Sequence, residues 1–237
     1  MIIYLLSTIK FYIMNKINIG IFSDTHGLHY DWESNHLTGE VLEQWNKCDI
    51  LIFAGDCSSR GLFREIKHFL DWFSKQPAKY KVMIAGNHDF GFEYIDKKNE
   101  NYPIVIPDNI TYLDDNSVEI LGLNIHGSPI QPEFYNWAFN RKRGEDIKKH
   151  WDMIPNNTDI LVTHGPPKGI LDSVYYENVG CQDLLESINR IQPTLSIFGH
   201  IHEGYGNIKI GNTEYFNASS LDSNYRPINP PLFKTIT

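Results

Sequence analysis

The sequence predicts an α/β protein built from two β-sheets flanked by helices, and three observations carry that prediction. Short, near-continuous apolar runs recur along the chain, each closing on a polar cluster. Stretches with helical apolar spacing lie between them. The middle and the C-terminal portion read instead as strand–turn–strand, which a second sheet accommodates.

Ile17 to Ser23 (INIGIFS) is rich in β-branched residues and runs into Asp24-Thr25-His26-Gly27. Asp49 to Ala54 (DILIFA) closes on Gly55-Asp56, and Tyr80 to Ala85 (YKVMIA) closes on Gly86-Asn87-His88-Asp89. Asp159 to Thr163 (DILVT) ends in His164-Gly165, and Thr194 to Phe198 (TLSIF) ends in Gly199-His200-Ile201-His202. Runs this apolar belong to strands covered on both faces. Phe63 to Phe73 sets Phe63, Ile66, Phe69, Leu70 and Phe73 on one helical stripe, and Asp183 to Ile191 does the same with Leu184, Leu185, Ile188 and Ile191. From Ile110 onward, the runs ITYLDD and VEILGLNIHG suggest a hairpin in the second sheet. Gly206 to Asn217 reads as strand–turn–strand around Gly211-Asn212, and Arg226 to Pro231 (RPINPP) as a segment extended over the surface. No repeat, low-complexity tract or long linker divides the chain, so residues 14–237 are expected to form a single domain.

A formal net charge of −8 argues against a nucleic-acid polymer as partner, because such affinity comes from Lys and Arg neutralising phosphates. Cys48, Cys57 and Cys181 show neither C-x-x-C spacing nor a paired-framework count. They read as buried free thiols in a reducing, cytoplasmic setting. Met1 to Met14 (MIIYLLSTIKFYIM) is apolar but too short to span a bilayer. It lacks the basic leading region and small-residue cleavage site of a signal peptide. Residues 1–13 therefore read as an extension of open role, with an added strand or a weak membrane contact as alternatives; no other segment suggests a membrane partner.

Polar residues at the carboxyl ends of sheet strands converge on one crevice. Here that set is Asp24, His26, Asp56, Asn87, His88, His164, His200 and His202. Imidazole mixed with carboxylate suits Mn, Fe, Zn or Ni, whereas Mg and Ca favour all-oxygen shells. The seven ligand-type side chains other than His88 exceed one ordinary site and fall short of two independent ones, and a shared carboxylate solves the count. If Asp56 bridges, one metal takes Asp24, His26, Asp56 and His202, and the other takes Asp56, Asn87, His164 and His200. Each ion then keeps open positions, as a catalytic site requires. His29, His36, His68, His126 and His150 receive the plainer reading of packed or surface residues. Gly55, Gly86 and Gly199 precede ligand residues and allow sharp turns close to the metals. Trp137, Phe139, Asn140, Arg141 and Arg143 form an aromatic and basic cluster that could stack a base and hold a phosphate; a surface loop with a packed Trp is the alternative.

These motifs resemble those of the calcineurin-like metallophosphoesterases, whose order is D-x-H, G-D, G-N-H-[DE], H and G-H-x-H. The matching residues are Asp24-Thr25-His26, Gly55-Asp56, Gly86-Asn87-His88-Asp89, His164 and Gly199-His200-Ile201-His202. The chain is most similar to the metallophosphoesterase-domain-containing subfamily of small phosphodiesterases, through THGPP (from Thr163), GHIHEGYG (from Gly199), WAFN (from Trp137) with Arg143-Gly144, NAS (from Asn217) and NPP (from Asn229). The likeness runs from about Met14 to Thr237.

The resemblance implies a four-layer αββα sandwich of two mixed sheets, with a dimetal site at the strand C-terminal edge and the ligand division given above. It implies two divalent transition-metal ions, Mn²⁺ foremost and Fe, Zn, Ni or Co as alternatives. The general acid falls on His88, with Asp89 orienting its ring. Beside that implication, the residues themselves suggest Asn87, His88, Asn140, Arg141 and Arg143 as substrate contacts. Some animal members carry Gly at the first His of G-H-x-H; this chain keeps His200, so a complete centre is expected. The implied reaction is in-line attack by a metal-bridging hydroxide on a small phosphodiester such as a cyclic nucleotide. Phosphomonoester hydrolysis is an alternative. A non-catalytic scaffold should lack ligands, and none is missing; a nuclease is disfavoured by the acidic balance. Oligomeric state is not legible.

Overall fold

The computed structural model describes residues 16–93 and 104–237, and the N-terminal extension, residues 1–13, lies outside the described residues. In chain order the strands are β1 (Ile17–Phe22), β2 (Ile50–Ala54), β3 (Tyr80–Ile84), β4 (Thr111–Tyr112), β5 (Asn116–Ile120), β6 (Leu123–Ser128), β7 (Gln131–Pro132), β8 (Asn140–Arg141), β9 (Ile160–Thr163), β10 (Ser173–Val174), β11 (Glu177–Asn178), β12 (Leu195–Phe198), β13 (Gly206–Ile210), β14 (Thr213–Asn217) and β15 (Leu232–Ile236). The helices are α1 (His29–His36), α2 (Gly39–Asn46), α3 (Phe63–Phe73), α4 (Phe90–Glu93), α5 (Glu145–Trp151) and α6 (Gln182–Ile191).

One large sheet has the order β15-β1-β2-β3-β4 and the other β13-β14-β12-β9-β6-β5. Neighbours from β1 to β4 are parallel, with β15 antiparallel to β1 at one edge. In the second sheet β14, β12, β9 and β6 run parallel, flanked by antiparallel β13 and β5. Both sheets are mixed, as expected.

Side-chain alternation explains why the sheets stack with helices outside. Ile19, Ile21, Ile50, Ile52, Val82 and Ile84 share one buried cluster with Ile125, Ile160, Val162, Leu195 and Ile197 of the other sheet. The intervening residues Phe22, Leu51, Phe53 and Met83 pack instead with Trp32, Trp45, Ile66, Phe69 and Phe73 of α1 to α3. On the second sheet Leu161 and Phe198 share that outer cluster with Ile147 and Trp151 of α5 and Leu184 and Ile188 of α6. A period of two thus sends alternate residues to the inter-sheet core and to a helical layer, giving four layers. Fully burying one such side chain contributes roughly 1.5–3 kcal/mol.

The hairpin expected between ITYLDD and VEILGLNIHG is corrected by the pairing. ITYLDD supplies β4, which joins the first sheet beside β3. The hairpin lies within the second run, with Ile120 opposite Leu123. Its two-residue turn, Leu121-Gly122, has φ of 54° and 82°. That is the backbone twist a tight antiparallel hairpin favours, and Leu is an unusual residue to supply it. The hairpin around Gly211-Asn212 forms as expected between β13 and β14. Residues 226–231 carry no regular structure, but they lead into β15, an edge strand not anticipated from RPINPP. All three cysteines are buried and free. Among the described residues no helix is long and apolar enough to cross a membrane.

Candidate metal centre

The carboxyl ends of β1, β2, β3, β9 and β12 carry all seven ligand-type residues and His88. A parallel bridge between Ser23 and Ser219 brings the first sheet beside the chain that follows β14 of the second. Asp24, His26, Asp56 and His200 all adopt positive φ, at 52°, 43°, 59° and 67°. None of them is glycine, so the left-handed backbone is locally unfavourable and must be held by its surroundings, a pattern concentrated at functional sites.

Three groups of donor atoms converge: Asp24 with His26 and His202, Asp56 with His164 and His200, and His26 with Asp56 and His88. His202 Nε2 is 3.6 Å from Asp24 Oδ1, and His26 Nε2 is 4.0 Å from the same oxygen. Asn87 Oδ1 lies 2.9 Å from His164 Nε2, joining the second group. Asp56 Oδ2 faces both groups, 3.7 Å from His26 Nε2 and 3.2 Å from His164 Nε2. Its Oδ1 is held separately by the His88 backbone amide at 2.8 Å.

The donor set fits divalent metal ions. Two nitrogens bound to one tetrahedral ion at ~2.0–2.1 Å stand ~3.3–3.4 Å apart. His26 Nε2 and His202 Nε2 are 3.3 Å apart. His164 Nδ1 and His202 Nδ1 donate to the carbonyls of Ala54 and Asp222, both at 2.9 Å, which turns each Nε2 inward. Asp24 is fixed by the His200 amide at 3.0 Å and the Ser219 hydroxyl at 3.0 Å. Sequence reasoning does not single out Ser219 or the Asp222 carbonyl. The late NAS triplet is the only hint of the first, and a backbone carbonyl leaves no signal in residue type.

Burial pulls the imidazoles of His26 and His200 down, to about 4 and about 3. Burial also acts on His164 and His202. The Asp56 charge beside His164 and the Asp24 hydrogen bond to His202 outweigh it, raising both to about 9. Burial pushes Asp24 and Asp56 up. The His202 hydrogen bond on Asp24 and the His164 charge beside Asp56 more than reverse this, holding both carboxyls below the usual range. The Asp24 and Asp56 carboxylates are thus paired with the His202 and His164 imidazoles.

His88 stands at the mouth of this cluster. Its Nδ1 donates to the Ser59 carbonyl at 2.8 Å, leaving Nε2 as the second ring nitrogen. The Trp137 ring packs on it with centroids 4.1 Å apart and a tilt of 32°. Asp89 does not orient His88, contrary to expectation. Its carboxylate accepts from the Cys57, Ser58 and Gly86 amides and the Ser58 hydroxyl, binding the loops after β2 and β3 together.

A cleft of about 490 Å³ opens on the cluster, lined by His26, Asp56, Asn87, His88, His200 and His202. Of the proposed substrate contacts, Asn87, His88 and Arg143 line it, while Asn140 and Arg141 are absent from its lining. The Asn140 amide is spent on Gln131 and on the carbonyls of Phe134 and Tyr135. Arg141 donates to His150 and to the Asn140 carbonyl, and His150 in turn donates to Asp115. These two residues shape the loop that carries Trp137. Tyr225 lines the cleft as well and stands edge-on to His26 and His202, at 5.0 and 5.2 Å; no sequence motif marks it.

Residues 17–204 match the family described as calcineurin-like phosphoesterase. Human metallophosphoesterase domain-containing protein 1 is 44% identical over 206 residues, covering 78% of this chain and 63% of the human protein. The UPF0046 protein K07C11.7 of Caenorhabditis elegans is 39% identical over 186 residues, covering 73% of this chain and 63% of that protein. The chain thus spans 63% of the length of these curated relatives. Among solved structures, TT1561 of Thermus thermophilus aligns with a TM-score of 0.58 at 15% identity, over 94% of this chain and 99% of that one, a likeness of fold.

Proposed function

Because the chain belongs to the calcineurin-like phosphoesterase family, we propose that it is a metal-dependent phosphoester hydrolase acting on small phosphodiesters, cyclic nucleotides among them. The observation that carries this reading is Asp56 Oδ2, one oxygen facing the nitrogens of His26 and His164. Asp24, His26, Asp56 and His202 would hold one ion, and Asp56, Asn87, His164 and His200 the other. The mixture of imidazole and carboxylate suits Mn²⁺, with Fe, Zn, Ni or Co compatible. When bound, such ions supply Lewis acidity that offsets charge developing on the phosphoryl oxygens, and they acidify water.

The chain's own residues do the rest. His88, its Nδ1–H committed to the Ser59 carbonyl, holds a transferable proton at Nε2 for the departing alkoxide. Trp137 restrains the ring so that this nitrogen keeps its direction. Asn87 orders His164 and stands in the cleft beside the phosphate's position. Pro166, Val174 and Ile201 make part of the wall apolar and limit competing water.

The test uses protein stripped and reloaded with Mn²⁺, assayed on an alkyl phosphodiester, a nitrophenyl phosphodiester and a nitrophenyl monoester. Metal-dependent turnover of the diesters supports the reading, and no turnover of any ester overturns it. His88→Ala should slow the alkyl diester by about 10²–10⁴-fold and the nitrophenyl diester far less, since nitrophenolate leaves without a proton. Equal losses would assign His88 to phosphate binding alone.

A further inference from the structure

Outside the ligand set, the wall of the cleft is poorly made for an anion. Its single Lys or Arg among the described lining residues is Arg143, whose guanidinium donates to the carbonyls of Gly180 and Val179 at 2.8 and 2.6 Å. Two carboxylates, Glu133 and Glu203, line the same cleft, and both residues are exposed. Neither forms an ion pair with a described residue. Aromatic surface accompanies them: Phe134, Trp137 and Tyr225 also line the cleft, with Phe134 57% and Tyr225 51% exposed.

An aromatic face attracts a cation through its quadrupole, and quaternary ammonium groups are the ligands most often bound this way. A neighbouring carboxylate adds Coulomb attraction for a cation and repels an anion. The phosphoryl charge of a substrate would be met by the metal centre, so the remainder of the substrate meets this wall. Resting on the phosphodiesterase reading above, we propose that the cleft selects phosphodiesters in which one alcohol carries a quaternary or protonated amine. Glu133 and Glu203 supply the counter-charge, and the rings of Phe134, Trp137 and Tyr225 pack on the cation. Esters whose distal arm is anionic are excluded by the same carboxylates.

Two chromogenic diesters of equal shape isolate the charge: nitrophenyl phosphorylcholine, and nitrophenyl 3,3-dimethylbutyl phosphate, in which carbon replaces the quaternary nitrogen. In both, water adds to phosphorus, the P–O(aryl) bond breaks, and nitrophenolate leaves while the proton from water passes to solvent. The Mn²⁺-loaded protein should prefer the choline ester by about tenfold or more in kcat/KM. Glu133→Gln combined with Glu203→Gln should bring that ratio close to one. As a check without substitution, tetramethylammonium chloride should inhibit competitively where sodium chloride of equal strength does not. Equal turnover of the two esters by the unsubstituted protein, or a ratio the double variant leaves unchanged, overturns the proposal while the phosphodiesterase reading stands. Inertness of both esters and of the nitrophenyl diester overturns that reading too. Glycerophosphocholine in solution and short-chain phosphatidylcholine in micelles then separate a soluble diester from a lipid headgroup as the source of this chemistry.

Discussion

Gly199 lies so close to Asp24 that a Cβ at that position would run into the Asp24 carboxylate and the Ser23 hydroxyl. Gly86 stands in the same relation to the Asp56 carboxylate. Both glycines permit a backbone to lie against a candidate ligand, which is why they precede the ligand residues in sequence. Gly199→Ala should therefore push Asp24 out of place and lower bound metal below two ions per chain, with the loss read by elemental analysis after Mn²⁺ loading. Unchanged metal content with unchanged activity would show that the contact is easily relieved. At this scale the ligand-type residues were legible because side-chain chemistry is written in residue identity. The carbonyls of Ser59, Ala54 and Asp222, which set the directions of three imidazoles, were not, since every residue has a carbonyl. The same limit explains Asp89, whose place beside His88 in sequence suggested a partner it does not serve.

Elements divide along a similar line. The strands β1, β2, β3, β9 and β12 were legible because their apolar runs are nearly continuous, and α3 coincides with the predicted Phe63 to Phe73 stripe. The two-residue pieces β10 and β11 were not, being too short to show a period. Their hairpin nevertheless borders the cleft through Val174 and Val179. Its base is tied by Asp172, whose Oδ2 accepts the Gly169 and Gly180 amides at 2.9 and 2.8 Å. From the other side Arg143 holds the Val179 and Gly180 carbonyls. Tyr175 and Tyr176 at its tip have positive φ and lie in solvent. Hydrogen bonds to a charged group contribute about 1.5–3 kcal/mol each. Asp172→Ala should thus loosen the hairpin, raising KM for a diester by about three- to tenfold with a smaller change in kcat and faster chymotryptic cleavage at Tyr175 or Tyr176. A kcat loss without a KM change would place Asp172's influence on the metal centre instead.

Across the whole molecule, the αββα stacking encloses histidines that take no part in the candidate centre. His29 is surrounded by Tyr30, His68, Phe69 and Trp72, and neither of its ring nitrogens has a hydrogen-bond partner among the described residues. His126 pairs with the Ser117 hydroxyl through Nδ1, while its Nε2 is buried and unpartnered. Both fit the plainer reading that the sequence supports, and both are buried. Burial, the largest cause in each case, lowers their pKa from 6.5 to about 4. The folded protein therefore keeps them neutral at acidities where the unfolded chain takes up a proton on each. Their favourable contribution is complete above pH 6.5 and is lost progressively as pH falls from 6.5 toward 4. Each should add a slope of up to about 1.4 kcal/mol per pH unit across that window. The candidate metal ligands also titrate there, so the measurement must be differential. Urea unfolding at pH 7 and pH 5 should show the unsubstituted protein losing more stability than a His29→Leu, His126→Leu variant, which removes both titrating groups and leaves the centre intact. If the two proteins lose stability in parallel, these histidines are already protonated or solvated in the folded state, and the acid sensitivity of the fold belongs to the candidate metal-ligand cluster.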